Sequence, residues 1–212
     1  MPLVKPNRTN RILTILALIA LLFAASMDSS AQLYVDNSLQ FNNYFHSDPL
    51  DLSYDQLSYA PRIGGVMPIR SDGKLKLAAE AELFRRRFSQ YIDQIHFRYD
   101  FPGVSLNTLL IYVFGKNVQI ESGLRFAAYS SSFYRNGIEH DLGEGFRSFD
   151  IGLALGCSYY LKDFIAIGLR GTYWFVPMLK FRTIGDFGQL SAQKNDINLL
   201  SGQLFIRFSF FN

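Results

Sequence analysis

Residues 149–174 read FDIGLALGCSYYLKDFIAIGLRGTYW, and large apolar residues occupy every second position of this stretch. In its first half these residues are Phe149, Ile151, Leu153 and Leu155, whereas the positions between them carry aspartate, glycine and alanine. An alternation with a period of two indicates a β-strand, because successive side chains of a strand point to opposite faces. The second half repeats the pattern, so the stretch predicts two strands joined by a tight turn.

The less bulky face of these two strands decides between a soluble sheet and a membrane-spanning one. A soluble barrel packs its apolar face inside and presents polar side chains to water. Here the second face carries mainly glycine and alanine, with one charge on each strand, Asp150 and Arg170. Glycines on an exposed face would weaken the strands without any packing gain. We therefore expect the bulky face to contact lipid and the small face to point inward.

The N-terminus has the three parts of a secretory signal peptide. A basic start is followed by an apolar run over 12–25 and by small residues that end at Ala31. The run of 14 residues is shorter than the roughly 20 that a membrane-spanning helix needs. We expect cleavage after Ala31, so that the chain consists of a signal peptide, 1–31, and one barrel domain, 32–212.

Composition excludes several classes of protein. The full chain has a net charge of +3, and the predicted signal peptide contributes three basic residues and one acidic residue, which leaves +1 on the mature chain. This near-neutral charge predicts no nucleic-acid partner. Cys157 is the only cysteine, which excludes an internal disulfide. Aromatic residues make up 16% and charged residues only 18% of the chain, an unusual balance for a surface that faces water.

Eight alternating segments follow the predicted cleavage site. They run approximately over 38–45, 59–70, 74–86, 104–114, 117–129, 146–160, 164–176 and 197–211. The connections alternate between tight turns at 71–73, 115–116 and 161–163 and long loops at 46–58, 87–103, 130–145 and 177–196. Short periplasmic turns and long external loops are typical of outer-membrane barrels, and an even strand number places both termini in the periplasm.

The predicted fold class is therefore all-β: an eight-stranded antiparallel up-and-down transmembrane β-barrel after a cleaved signal peptide, in the cell outer membrane of a Gram-negative organism. A closed barrel is required because an open sheet edge in lipid would leave backbone groups unpaired. A soluble lipocalin-like barrel also has eight strands. It would not require every long loop to lie at the same end.

The charged residues within the strands predict the content of the lumen. A charge on the lipid face at mid-bilayer costs about 2–4 kcal/mol for Arg or Lys, so charges within the strands belong inside. The inward set is Arg62, Lys76, Glu80, Glu82, Glu121, Arg125, Asp150, Arg170, Gln203 and Arg207. An eight-stranded barrel is just wide enough for side chains to fill. We therefore predict an ion-pair network without an open pore, in which neighbouring strands pair Glu121, Arg125, Asp150 and Arg170.

Two stretches resemble a known family. Residues 98–131, RYDFPGVSLNTLLIYVFGKNVQIESGLRFAAYSS, combine a Pro-initiated apolar strand, an aromatic-Gly-Lys turn and an E-x-G return strand. Together with 149–174, they resemble the PorT-like outer-membrane β-barrel family, on positions Pro102, Phe114, Gly115, Glu121, Gly123, Arg170 and Tyr173. The resemblance implies an outer-membrane location and an eight-stranded barrel. Most members have no assigned activity, and the founding type assists a protein-secretion pathway, which implies secretion-system proteins as partners.

The last strand indicates a further partner. It reads LFIRFSFFN and places Leu204, Ile206, Phe208 and Phe210 on one face. This resembles the C-terminal strand by which the barrel assembly machinery recognises its substrates, except that Asn212 follows the last aromatic residue. We therefore expect the chain to be a substrate of that machinery.

The sequence predicts no catalytic site, no cofactor and no metal site. The three histidines, His46, His96 and His140, all fall in predicted loops. The run His46-Ser47-Asp48 has the residue types of a nucleophilic site, but adjacent residues point apart and cannot form the base–nucleophile contact. Acidic residues of the first loop could offer oxygens to calcium, but their spacing, Asp48, Asp51 and Asp55, is not that of a calcium-binding loop.

Two classes of function follow. The first is a structural or interaction role, in which the external loops present a binding surface. The alternative is a lipid A-modifying enzyme, which a convergence of His, Ser and acidic side chains at one loop end would favour.

Three consecutive arginines, Arg85, Arg86 and Arg87, interrupt the alternation where the third strand should leave the membrane. They form either a charged rim that ends the strand or a site for lipopolysaccharide phosphates. Outer-membrane lipid and lipopolysaccharide are accordingly expected partners.

Overall fold

A computed structural model describes residues 32–45, 52–54, 57–92, 95–130, 132–140, 148–176, 179–184 and 190–210. The predicted signal peptide, 1–31, lies outside the described residues. The described chain contains thirteen β-strands. No helix in this part of the chain is long and apolar enough to span a membrane.

The strands are numbered in chain order. They are β1 (Gln32–Phe45), β2 (Leu52–Tyr54), β3 (Leu57–Tyr59), β4 (Arg62–Pro68), β5 (Leu75–Ile92), β6 (Ile95–Phe114), β7 (Val118–Tyr129), β8 (Ser132–Arg135), β9 (Ile138–His140), β10 (Phe149–Lys162), β11 (Ile165–Trp174), β12 (Leu179–Ile184) and β13 (Leu190–Phe210).

Eight of these strands form a closed wall. Its order is β1, β4, β5, β6, β7, β10, β11 and β13, and each strand is antiparallel to the next. The last strand, β13, pairs with β1 from Leu33 opposite Phe210 to Phe45 opposite Asn198, so the sheet has no free edge in the wall. The prediction of an eight-stranded antiparallel up-and-down barrel is confirmed.

The two ends of the barrel are built differently. At the turn end, short connections join β4 to β5, β6 to β7 and β10 to β11, and Gly115 adopts a φ of 69°, which suits a residue without a Cβ. At the loop end, strands continue past the wall: β2 adds to β5, β12 adds to β13, and the β8–β9 hairpin adds to β6. Gln32 and Phe210 both lie at the turn end.

The β5–β6 hairpin extends farthest beyond the barrel wall at the loop end. Its pairing continues from Leu75 opposite Tyr112 to Ile92 opposite Ile95. The long loop predicted over 87–103 is therefore wrong, because most of this segment is sheet. Its charged and polar residues interrupt the apolar alternation on which the prediction rested, whereas backbone pairing outside the wall does not need an apolar face.

Other strand boundaries also differ from the prediction. β1 begins at Gln32, six residues earlier than expected, because the polar pair Asp36 and Asn37 hid the alternation there. The predicted second strand is interrupted at Ala60 and Pro61, which separate β3 from β4. β13 begins at Leu190, earlier than expected, because its first residues pair with β12 at the loop end.

Side chains separate by face around the wall. The outer face carries exposed large apolar residues, among them Leu39, Phe41, Leu83, Leu110, Tyr112, Leu124, Leu153, Leu155, Ile167, Leu169, Leu204 and Ile206. The inner face carries buried Arg, Glu, Asp, Gln, Asn and Ser side chains. This arrangement is the reverse of a soluble globular protein, in which charged residues are rarely buried.

Two glycines of the wall differ in what a side chain would meet. A Cβ on Gly123 would lie 2.8 Å from the Leu109 Cα of the neighbouring strand, whereas a Cβ on Gly202 would meet nothing within 4 Å. We expect Gly123→Ala to destabilise the barrel by about 1–3 kcal/mol, since backbone must shift. Gly202→Ala should stabilise it by about 0.5–1 kcal/mol, because alanine loses less backbone entropy in a strand. Urea unfolding in detergent checks the pair, and equal effects would contradict this packing.

Candidate functional site

The lumen holds a balanced set of buried charges. Within the described residues, five arginines and five acidic residues of the inner face are fully buried: Asp36, Arg62, Glu80, Glu82, Arg86, Glu121, Arg125, Asp150, Arg170 and Arg207. The structure thus places the eight charged residues predicted for the network, together with Gln203, inside the barrel, and it adds Asp36 and Arg86. Lys76 is only half-buried and lies toward the turn end.

Glu80 is the centre of one half of the network. Arg170 donates to its two carboxylate oxygens at 2.6 and 2.9 Å, and the Tyr34 hydroxyl donates to it at 2.7 Å. Arg207 reaches the same carboxylate at 3.2 Å and also binds both oxygens of Asp36, at 2.8 and 2.9 Å. Every ion in this half has a partner of opposite charge, which offsets the desolvation that burial costs.

Arg125 organises the other half. Its guanidinium pairs with Glu82 and donates to Asn107 Oδ1 at 2.9 Å and Thr172 Oγ1 at 2.9 Å. Gln203 joins the halves, because its amide donates to Glu82 at 3.0 Å and its carbonyl accepts from the Arg62 guanidinium at 3.1 Å.

Of the four residues expected to pair, two do so, but they are not on neighbouring strands, because β10 lies between β7 and β11. Glu121 and Arg170 form an ion pair. Arg125 pairs instead with Glu82, and Asp150 pairs with an arginine across the loop end of the lumen. Inward side chains in a narrow barrel reach across the lumen, so sequence neighbours are not their only available partners.

Arg86 closes the loop end of the lumen, which corrects its assignment to a lipopolysaccharide rim. Its side chain is fully buried, with Nη1 3.3 Å from the Asp150 carboxylate. The guanidinium lies 4.1 Å from the Trp174 ring centre and 4.7 Å from that of Phe84. Trp174 is held in turn by its indole N–H, which donates to Ser201 Oγ at 3.0 Å. Because β5 continues past the predicted exit, the alternation of the strand turns this arginine inward.

The filled lumen predicts that the protein forms no stable open channel. Paired ions occupy its middle, the apolar side chains of Leu109 and Ile111 are fully buried beside them, and Arg86 with Trp174 covers the loop end. Ion conduction needs a continuous polar path, which this packing does not provide. Purified protein in planar bilayers should give no steady single-channel currents. Reproducible unitary currents would contradict this reading of the lumen.

The outer face carries a separate cationic cluster beyond the apolar band, which we call the arginine rim: Arg85, Arg87 and Arg98. Arg85 Nε donates to both oxygens of Asp100, at 2.8 and 3.1 Å, and Arg87 lies 3.8 Å from the same carboxylate. Hydrogen bonding to Asp100 raises the pKa of Arg85. Of the three arginines predicted for the rim, Arg85 and Arg87 therefore lie on the outer face. The sequence analysis did not identify Arg98 as a member of this cluster.

Arg98 completes the arginine rim from the neighbouring strand. Its guanidinium lies 4.4 Å from the ring centre of Tyr134 on β8, which fixes the stem of the side chain. Its buried Nε has no hydrogen-bond partner among the described residues. Arg85 and Arg87 share the Asp100 carboxylate, and Arg98 has no ion pair among the described residues, so the cluster has an excess of positive charge.

The residues considered for catalysis or metal binding are only partly described. His46, Ser47, Asp48, Asp51 and Asp55 lie outside the described residues, as does the His140 side chain. The backbone N–H of His96 donates to Asn136 Oδ1 at 3.0 Å, where the β5–β6 and β8–β9 hairpins meet. In the part of the chain that the structure describes, no three His, Cys, Asp or Glu side chains are placed to hold a metal.

Comparison with known proteins identifies the fold. No family model and no curated protein matches the sequence. Among solved structures, Ail of Yersinia pestis, crystallised with the heparin analogue sucrose octasulfate, matches with a TM-score of 0.51 and 11% identity over 85% of this chain and 97% of Ail. Neisserial surface protein A matches with a TM-score of 0.47 and 14% identity, over 85% of this chain and 97% of its own. The chain therefore has the fold of the outer-membrane β-barrels.

Proposed function

We propose that this chain is an integral outer-membrane β-barrel protein with a structural or interaction role, whose loop end binds the phosphate groups of lipopolysaccharide. The lumen serves stability rather than transport, since paired side chains fill it. The external strands and loops supply the binding surface.

The outer-membrane location is supported by the two faces of the wall. A continuous apolar outer face would be costly in water, and a closed wall leaves no unpaired strand edge in lipid. Short turns lie on the periplasmic side in barrels of this kind, so the turn end, with Gln32 and Phe210, faces the periplasm and the loop end faces outward.

The arginine rim is the observation that carries the proposed interaction. On β5 the outward side chains change from apolar Leu83 to Arg85 and Arg87, which places the cations directly past the apolar band. Lipopolysaccharide phosphates lie at that level, just outside the hydrocarbon of the outer leaflet. Arginine binds phosphate through two parallel N–H groups, the Arg85 side chain is 53% exposed, and Arg98 has no ion pair among the described residues.

The test measures lipopolysaccharide binding by the purified barrel in a non-ionic detergent. The double variant Arg85→Gln/Arg98→Gln should bind about a hundredfold more weakly or worse, because a hydrogen bond to a charged group contributes about 1.5–3 kcal/mol and each glutamine removes at least one. Dephosphorylated lipopolysaccharide should bind the unaltered protein as weakly as intact lipopolysaccharide binds the variant.

Arg70→Gln is the matched control, because Arg70 is exposed at the turn end and its replacement changes the charge equally. It should leave the affinity unchanged. Equal affinity of the rim variant and the control would reject the arginine rim as the binding site.

The proposal extends to a partner in protein secretion. It rests on the resemblance to the PorT-like family, whose two matching stretches correspond to consecutive hairpins of the wall, β6–β7 and β10–β11. Co-purification from outer membranes after crosslinking, with identification of the bound proteins, tests this extension. Recovery of the barrel without secretion proteins would leave the lipopolysaccharide role alone.

A further inference from the structure

A polar cavity opens at the turn end of the barrel, opposite the arginine rim. It has a volume of about 290 Å³ and is enclosed by residues from β1, β5, β6, β7 and β10 and from two turns. Three lysines line it, Lys76 from the inner face of β5, Lys116 from the β6–β7 turn and Lys162 from the end of β10. Asp163 is the single acidic residue among the lining side chains, so the cavity has an excess of positive charge.

The charges of this cavity are not neutralised within the described part of the chain. Lys76 is half-buried, and no described carboxylate lies within ion-pair distance of any of the three lysines, in contrast to the arginines deeper in the lumen. Burial of a cation without a counter-charge is unfavourable, which makes a bound anion stabilising.

One buried hydroxyl beside the lining of the cavity also has no hydrogen-bond partner among the described residues. Gln119 lines the cavity and pairs in register with Ser158 on the inner face. The Ser158 Oγ atom is buried and has no hydrogen-bond partner among the described residues. Buried hydroxyls in proteins are nearly always bonded, so this group indicates that a polar species occupies the space next to it.

We propose that the turn-end cavity binds a compact oxyanion, a carboxylate or a phosphate, between the ammonium groups of Lys76, Lys116 and Lys162. The volume fits one such group with water and excludes a folded domain. The cavity lies inside the ring of strands and not on the outer face, so headgroups of the surrounding lipid cannot reach it. The anion therefore comes from the aqueous side, either free or on an acidic peptide side chain.

The experiment titrates the folded full-length barrel, in a non-ionic detergent, with three probes by calorimetry. Inorganic phosphate represents the free anion, a blocked glutamate tetrapeptide represents the peptide source, and the matching glutamine tetrapeptide is the neutral control. We expect at least one anionic probe to bind in the millimolar range or tighter and the glutamine peptide not to bind. Binding of phosphate alone identifies a free anion, and tighter binding of the glutamate peptide identifies a peptide partner.

Charge-removing variants localise the binding. Lys76→Gln should weaken it about tenfold, because this ammonium is closest to the low-dielectric lumen. The double variant Lys116→Gln/Lys162→Gln should have a similar effect and changes only exposed side chains at the turn end, so it tests the site even if Lys76→Gln folds poorly. Lys74→Gln is the control, since Lys74 is exposed in the adjacent turn and does not line the cavity. No binding of either anion, or equal losses in the control and the cavity variants, would overturn the proposal.

Discussion

Replacing Arg170 with alanine should lower the free energy of unfolding of the barrel by about 3–5 kcal/mol. The substitution removes the cation that binds Glu80 at 2.6 and 2.9 Å and that also pairs with Glu121. Both carboxylates would stay buried with fewer partners, and an unpaired buried charge is far more costly than a lost surface contact. Urea unfolding followed by the mobility shift of the folded barrel on gels measures the effect.

Two further variants separate electrostatics from packing. Lys162→Ala removes an exposed cation that has no described ion pair and should change stability by no more than about 0.5 kcal/mol. The double variant Arg170→Ala/Glu121→Gln removes one orphaned charge as well and should recover part of the lost stability. If the double variant is no more stable than Arg170→Ala, the loss comes from the missing side-chain volume and not from unpaired charge.

Placing an arginine at Leu153 should impair membrane insertion by about 2–4 kcal/mol, the cost of a cation on the lipid face at mid-bilayer. Leu153 is 48% exposed on the outer face of β10, near the middle of the strand. The matched control is Leu161→Arg at the turn end of the same strand, where the side chain is 57% exposed. There the cost falls to about 0–1 kcal/mol, because the cation reaches the interface.

The fraction of protein that folds into lipid vesicles, titrated with urea, measures this difference. If both arginine variants inserted equally well, the outer face of the barrel would not be the face that contacts lipid. If, in addition, Asp150→Leu left stability unchanged, the inner and outer faces of the barrel would have been assigned the wrong way round.

Strand number and facing could be predicted from the sequence because both depend on local alternation. Arg125 and Glu82 show this, because the alternation within each strand places both side chains on the inner face, where they are buried. Arg86 lies two positions after Phe84 on β5, so the same alternation places its side chain on the inner face. A predicted strand that continued past residue 86 would have assigned Arg86 to the lumen. The prediction fails there because the three charged side chains do not end the strand, which continues to Ile92.

Asp36 shows a different limit. It lies in a segment whose polar residues hid the alternation, and its inward position follows from its partners, Arg62 and Arg207. Arg207 is 171 residues away in the sequence and becomes its neighbour only where β13 closes on β1. No local pattern contains that information.

The sequence by itself determined that this chain forms alternating strands, that the bulky face points outward and that the charges of the wall point inward, because side-chain direction in a strand is fixed by a period of two. The tertiary structure alone decided which charges pair. Arg170 on β11 binds Glu80 on β5, four strands away in either direction around an eight-stranded ring. Such partners meet across the lumen only after the sheet has curled and closed, which brings opposite walls within the reach of one arginine side chain.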